Sequence, residues 1–338
     1  MRSRPFLCGL RAFWRSNFTL VGVLLFPVRN CLKSNKKANS YVVTGLPAYV
    51  DQNRPLLLNE AILGSISPRL FTLMAGVKSS AALNILTSDI AFGNGAVCGW
   101  NEAGTSTLSQ RVLTTGQIKV NMAICDKTLL GKWAEYQVRI AAGQKNLPFE
   151  EDLMRDLARR IANALEVAIW QGDTTSGNAN LNKFDGIVKL LSASGSGVIT
   201  SAAVSGETKM AAVKRALLAM PAGTIKEDAV IWCGTAFLRD YEQELVTANL
   251  FHFEPGMDYD SITIPGSRVK LQATQGLDGV NYIVAGQLSN FFFGCDLMDD
   301  SEKFEVWYSQ DNREFRIAVE FNAGVQVAFP GNIVLAGI

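Results

Sequence analysis

Ile85–Trp100 (ILTSDIAFGNGAVCGW), the turn-like Asn101-Glu102-Ala103-Gly104 and Thr105–Val120 (TSTLSQRVLTTGQIKV) together read as one long β-hairpin. Thr, Val, Ile and Ser dominate both arms, helical periodicity is weak, and a turn cluster separates them. Charge is scarce there: between Ile85 and Gln117 stand only Asp89, Glu102 and Arg111. An arm of this length extends roughly 50 Å at the rise of a strand. A compact chain of this size has a radius of gyration of only about 20 Å. The arm must either cross the whole molecule or leave it.

Downstream comes the clearest helix. Pro148 precedes it, Glu150, Glu151 and Asp152 fill its first turn, and Gly172 stands just past its end, which suits the helix dipole and its start and stop signals. Leu153, Leu157, Ile161, Ala164, Leu165, Ala168 and Ile169 recur at steps of three and four. Such a rod is about 33 Å long. Asp173–Lys183 then reads as a polar loop and Ser192–Ser205 as a turn region. A helix over Gly206–Met220 with Ser205 as N-cap, a buried strand Ala229–Cys233 and a helix Thr235–Thr247 suggest a compact β/α unit. Strands dominate from Arg268 onward: Val269–Ala273, Tyr282–Ala285, Phe304–Tyr308, Phe315–Glu320 and Val325–Phe329. The last part alternates apolar and polar residues as a half-buried antiparallel sheet does. Upstream of the hairpin, Pro55–Leu63 and Pro68–Met74 are short apolar segments of helix or turn character.

The 338 residues are 48% hydrophobic and 19% charged, with a net charge of +1. That excludes a wholly disordered chain, and 29 glycines without a triplet repeat exclude a collagen-like rod. No apolar run approaches the ~20 residues that span a bilayer. Residues 1–40 carry eight Lys/Arg and no acid, which leaves −7 for residues 41–338. An acidic body disfavours nucleic-acid recognition. The leader's apolar run Phe18–Val28 lacks a small-residue cleavage site. It reads as a real arm, as residues upstream of the true start, or as a targeting segment. Six dispersed cysteines without a C-x-x-C pair read as reduced thiols.

A search for chemistry comes up empty. His252 is the single histidine, so multi-His metal sites and His acid–base pairs are excluded. Gly93-Asn94-Gly95 begins like a dinucleotide fingerprint, but Cys98 replaces its third glycine and no helix follows. Phosphate loops and G-x-S-x-G elbows are absent from the sequence. The acids Asp296, Asp299, Asp300 and Glu302 lack EF-hand spacing and read as a solvated turn. Neither a cofactor, a metal nor an enzymatic activity is expected. The rare charges of the hairpin, Asp89, Glu102 and Arg111, and Trp100 beside its turn, are instead candidate intersubunit contacts, with a solvated hairpin tip as the other reading of Glu102.

The order of hairpin, long helix, compact α/β unit and antiparallel sheet resembles the major capsid protein of tailed bacteriophages, the Hong Kong 97 type. More narrowly, several stretches resemble capsid proteins of crAss-like phages of gut Bacteroidetes. They are Leu46–Arg54 (LPAYVDQNR), Cys98–Arg111, Lys119–Leu130, Val138–Asp152, Ala168–Gly186 and Phe291–Phe321. Residues 1–40 match nothing in that family. The resemblance implies an α+β Hong Kong 97-type fold with a long β-hairpin extended loop, a long spine helix, a compact axial domain and an antiparallel peripheral sheet. It divides the chain into a leader (1–43), an N-terminal arm (44–80), the extended loop (81–124), the spine helix with its flanks (125–172), a mainly axial α/β domain (173–290) and C-terminal peripheral strands (291–338).

As function it implies a structural subunit that self-assembles into hexamers and pentamers of an icosahedral virion shell around double-stranded DNA. Its partners would be copies of itself, portal and scaffolding proteins, and DNA only weakly and non-specifically, with no membrane. Assembly would take place in the bacterial host cytoplasm. An encapsulin-type nanocompartment shell shares the fold, and a secreted β-rich binding protein is the alternative of another class. Some capsids of this fold join subunits by an isopeptide bond from an extended-loop lysine. Between Ile85 and Ile118 this sequence has no lysine.

Overall fold

A computed structural model describes residues 45–92, 104–141, 149–193, 197–225, 228–249, 260–296 and 303–338. All lie in the compact unit Tyr41–Ile338. The chain opens with α1 (Gly45–Leu63), which holds Pro55 in its interior, then α2 (Ile66–Leu70) and β1 (Thr72–Ala75). The helical stretch is thus longer than the expected Pro55–Leu63. Tertiary burial of Leu46, Val50, Leu57, Ala61 and Ile62 outweighs the hydrogen bond that a proline removes.

β2 (Ser80–Asp89) and β3 (Thr105–Thr114) pair antiparallel, from Ser80 opposite Thr114 to Asp89 opposite Thr105. The expected second arm, Thr105–Val120, does not stay with its partner. At Thr115 the chain leaves β2, and β4 (Gly116–Cys125) pairs antiparallel with β12 (Glu314–Val327). Glycine stands at position 116, the start of β4, because the Lys183 carbonyl lies where a Cβ would stand. Ile118, Val120, Met122 and Ile124 are half-buried on one face of β4, while Gln117, Lys119, Asn121 and Ala123 are exposed on the other. That alternation belongs to a sheet resting on a core.

α3 (Asp126–Ala141) follows, and then α4 (Phe149–Gln171), close to the expected boundaries. Eleven of the 23 residues of α4 are buried, so this long helix is a true core element. After it come α5 (Ile187–Ser192), β5 (Ile199–Ser201) and α6 (Lys209–Ala219). The cap of α6 is Thr208, not Ser205; its side chain accepts the Ala211 amide at 3.3 Å. β6 (Ala229–Gly234) and α7 (Thr235–Thr247) stand where the sequence places them. β7 (Ser261–Thr263), β8 (Lys270–Thr274), β9 (Tyr282–Gln287), β10 (Phe291–Cys295), β11 (Lys303–Ser309), β12 and β13 (Val334–Gly337) complete the chain. β12 is a single strand where two were expected, and β10 and β13 were not anticipated.

Two layers result. In the first, the sheet β1-β10-β12-β11, with β4 on the other side of β12, packs on α1 and α4. Phe293, Phe304, Phe315 and Val319 fill its interior. In the second, the sheet β5-β13-β9-β6-β8-β7 packs on α6 and α7. Charge-assisted bonds pin this second layer. The Glu244 carboxylate accepts the Lys209 and Met210 amides, each at 2.8 Å, and so caps α6 from α7. Arg215 donates to Glu207 at 2.8 Å and to the Gly337 carbonyl at 2.7 Å. An aromatic cluster bridges the layers: Phe71 stacks on Phe291 at 5.2 Å, and Trp170 and Trp232 lie 5.3 Å apart.

Candidate functional site

The β2–β3 ribbon has a firm root and an unsupported outer half. At the root Leu83, Ile85 and Leu113 are buried, with Leu113 packed over Gly294. Gln326 Nε2 donates to the Val112 carbonyl at 2.7 Å, the Thr115 amide to the Ser79 carbonyl at 2.9 Å, and Asn322 Nδ2 to the Lys78 carbonyl at 3.3 Å. Farther out, both faces meet solvent. Leu86 is 64% exposed, Leu108 opposite it 72%, Ile90 76% and Phe92 99%. Ser88 and Ser106 share a hydroxyl hydrogen bond of 2.9 Å across the ribbon.

A two-stranded ribbon standing alone is marginal in water. Its unpaired edges are templates for another chain, and large exposed apolar groups mark interaction surfaces. Each such side chain gains about 1.5–3 kcal/mol when covered. The ribbon is therefore a surface made to be buried against something else.

Asp89 ends β2, exposed, opposite Thr105. Arg111 lies opposite Leu83 near the root, half-buried, and burial lowers the pKa of its guanidinium. The six-residue offset between these pairs separates the two groups by roughly 20 Å, so the ribbon does not bring them together. Trp100 and Glu102 lie outside the described residues, as do His252 and Gly93-Asn94-Gly95. Sequence reasoning overlooked the apolar residues Leu86, Ile90, Phe92 and Leu108. The available signal was large aliphatic and aromatic side chains inside a stretch otherwise rich in Ser and Thr.

Among the described residues, no three His, Cys, Asp or Glu side chains group as a metal site. Asp296 is buried, not in a solvated turn, and its expected neighbours Asp299, Asp300 and Glu302 lie outside the described residues. Cys125 and Cys233 are free thiols. Burial pushes the Cys233 thiol pKa up, which makes it unreactive. A depression of about 920 Å³ beside α6 is lined by Leu217, Leu218, Met220, Ile225 and Arg268 among others, with no acid–base pair. No described helix is long and apolar enough to cross a membrane.

Comparison of the structure with solved structures adds the decisive observation. The chain superposes on one from the satellite phage P4 procapsid including size determination (Sid) protein with a TM-score of 0.60. The match covers 86% of this chain and 94% of that one, at 14% identity. The chain has the fold of phage capsid proteins. A chain of the capsid of a native GTA particle gives a TM-score of 0.53 over 80% of this chain and 89% of its own, at 12% identity. A chain of Mycobacterium phage Ogopogo gives 0.50 over 81% and 91%, at 15% identity. At these identities the likeness is one of fold. No family model matches the sequence, and no curated protein does.

Proposed function

We propose that this protein is the structural subunit of an icosahedral phage capsid of the Hong Kong 97 type. In this reading it self-assembles into hexamers and pentamers around double-stranded DNA. The observation that carries the reading is the ribbon: a surface-exposed, apolar, edge-bearing element on a fold shared with capsid subunits. A charge-poor ribbon can hydrogen-bond to a neighbour without burying unpaired charge. In this assignment the ribbon is the extended loop, α4 the spine helix, the β12 sheet the peripheral domain and the β9 sheet with α6 and α7 the axial domain. Residues 44–80 form the N-terminal arm.

Asp89, Trp100, Glu102 and Arg111 are assigned to contacts between subunits on the rarity of charge in this stretch. A portal and a scaffolding protein are the expected further partners, and assembly takes place in the host cytoplasm. The shell itself is non-enzymatic. The placement among crAss-like phages rests on the sequence stretches quoted above.

Electron microscopy of the purified chain, with and without a co-expressed scaffolding protein, tests the reading. Closed particles are expected. A monodisperse monomer at high concentration across salt and scaffold conditions overturns it. Closed particles that carry a co-expressed cargo enzyme and no DNA would instead place the chain with nanocompartment shells.

A further inference from the structure

The face of the first sheet turned away from its core carries a hollow across β11, β12 and β4. Strand pairing sets three rows of side chains there. In the first, Trp307 stands opposite Arg316, and Arg316 opposite Ala123. The second holds Glu305, Ala318 and Asn121, and the third Lys303, Glu320 and Lys119. Two alanines, Ala318 at the centre and Ala123 diagonal to it, leave a depression of about 550 Å³ walled by the longer side chains. That volume lies within the ~300–1,000 Å³ of small-molecule sites. Three strands and three rows make a patch of roughly 10 by 14 Å.

Trp307 is out of place on this face. Alternation assigns it to polar residues, yet the Trp307 side chain stands there 43% exposed, without a ring contact among the described residues. The charges around it balance. Lys119 is bound to Glu320 and Arg316 to Glu314, each at 2.9 Å, and Lys303 and Glu305 add one charge of each sign. Glu305 and Asn121 are exposed and form no ion pair or side-chain hydrogen bond among the described residues.

We propose that this hollow binds a neutral carbohydrate, with one face of a sugar ring on the Trp307 indole. Three features select that ligand. The negative face of an indole favours the C–H groups that line one side of a pyranose. Hydroxyl groups both donate and accept, and the free groups here match them: Glu305 accepts, Asn121 does both, and Arg316 gives only its Nε–H to Glu314. Balanced charge gives no attraction for a polyanion such as nucleic acid. The two ion pairs also hold Arg316 and Glu320 in place, so less side-chain freedom is lost on binding. Every one of these groups belongs to one copy, so the site stands apart from the capsid reading.

The test is saturation-transfer NMR on the purified full chain with maltose, cellobiose, lactose and N,N′-diacetylchitobiose. Transfer to at least one is expected, strongest at the C–H protons of one ring face, with a Kd on the order of 1 mM. Trp307→Ala is expected to weaken binding about 10-fold or more, and Trp307→Phe to keep it within about threefold. Asn121→Ala should weaken it about fivefold. These exposed positions should leave melting as in the wild type. Transfer to none of the four sugars overturns the proposal, as does transfer that Trp307→Ala and Asn121→Ala leave unchanged. Binding of glucose 6-phosphate but of no neutral sugar overturns it in favour of an anion site. A dimer in sedimentation that Trp307→Ala dissociates, without sugar binding, overturns it in favour of a second copy on this face.

Discussion

Glu166 lies on α4, only 3% exposed, with no ion pair among the described residues. Its carboxylate accepts the Ser67 amide at 3.1 Å, the Ser67 hydroxyl and the Thr274 hydroxyl at 2.5 Å. Each hydroxyl in turn accepts a donor: Trp170 Nε1 at 2.8 Å for Ser67, the Gly276 amide at 3.1 Å for Thr274. One carboxylate therefore ties α2, α4 and the end of β8, where the two layers meet. Glu166→Leu leaves three buried donors unmatched, at about 1–3 kcal/mol each, so a loss of about 3 kcal/mol or more is expected in urea unfolding.

A second carboxylate site is half-buried. Asp173 accepts from Lys189 Nζ at 2.7 Å and from the Thr175 amide at 2.8 Å, and its pKa is lowered to about 2 by the Lys189 hydrogen bond first and those from Thr175 next. Because the folded value lies below the ordinary 3.8, the stabilisation is present above that pH and disappears as the pH falls toward about 2. Lys189→Met should return the Asp173 titration, followed by NMR, toward its ordinary range.

At the scale of elements, the ribbon separates folding from assembly. Its root is held by Leu113, Gln326 and Asn322, and its outer half contributes little to the subunit core. Arg111→Glu is expected to impair shell formation while circular dichroism and melting stay as in the wild type; normal shells would remove Arg111 from the contact. On the proposed function the ribbon also sets how neighbours are held. Lysine is absent from β2 and β3, and Lys119 belongs to β4, bound to Glu320 at 2.9 Å within the sheet. Shells are therefore expected to be non-covalent. Particles heated in detergent with reductant should run as monomers near 36.7 kDa or slightly below, and a covalent ladder would contradict this.

For the molecule as a whole, charge sets the relation to nucleic acid. Residues 41–338 carry −7, and a body of that sign repels a polyanion. The purified chain without residues 1–40 should give no retained complex with double-stranded DNA at physiological salt in a mobility-shift assay. Tight, salt-resistant binding would show that a local basic surface outweighs the net charge.

The sequence by itself determined those elements whose signal is local. α4 was legible because acids fill its first turn, glycine ends it and apolar residues recur at three and four. α7 was legible because a buried apolar strand leads straight into an amphipathic helix. The scarcity of charge in the ribbon and the lack of a catalytic constellation also needed no coordinates.

Only tertiary structure decided which strand meets which. Thr105–Cys125 is extended throughout but for Thr115, yet its first half pairs with β2 and its second with β12. At the switch Gly116 lies against the Lys183 carbonyl, a close approach between residues far apart in the chain that only glycine allows. Likewise Pro55 sits inside α1 because long-range burial outweighs local propensity. The pairing of β4 with β12 alone among the described residues likewise exists only once distant strands are placed. Local propensity acts over a few residues, whereas edges, grooves and junctions such as Glu166 are made by residues that the chain brings together from a hundred positions away.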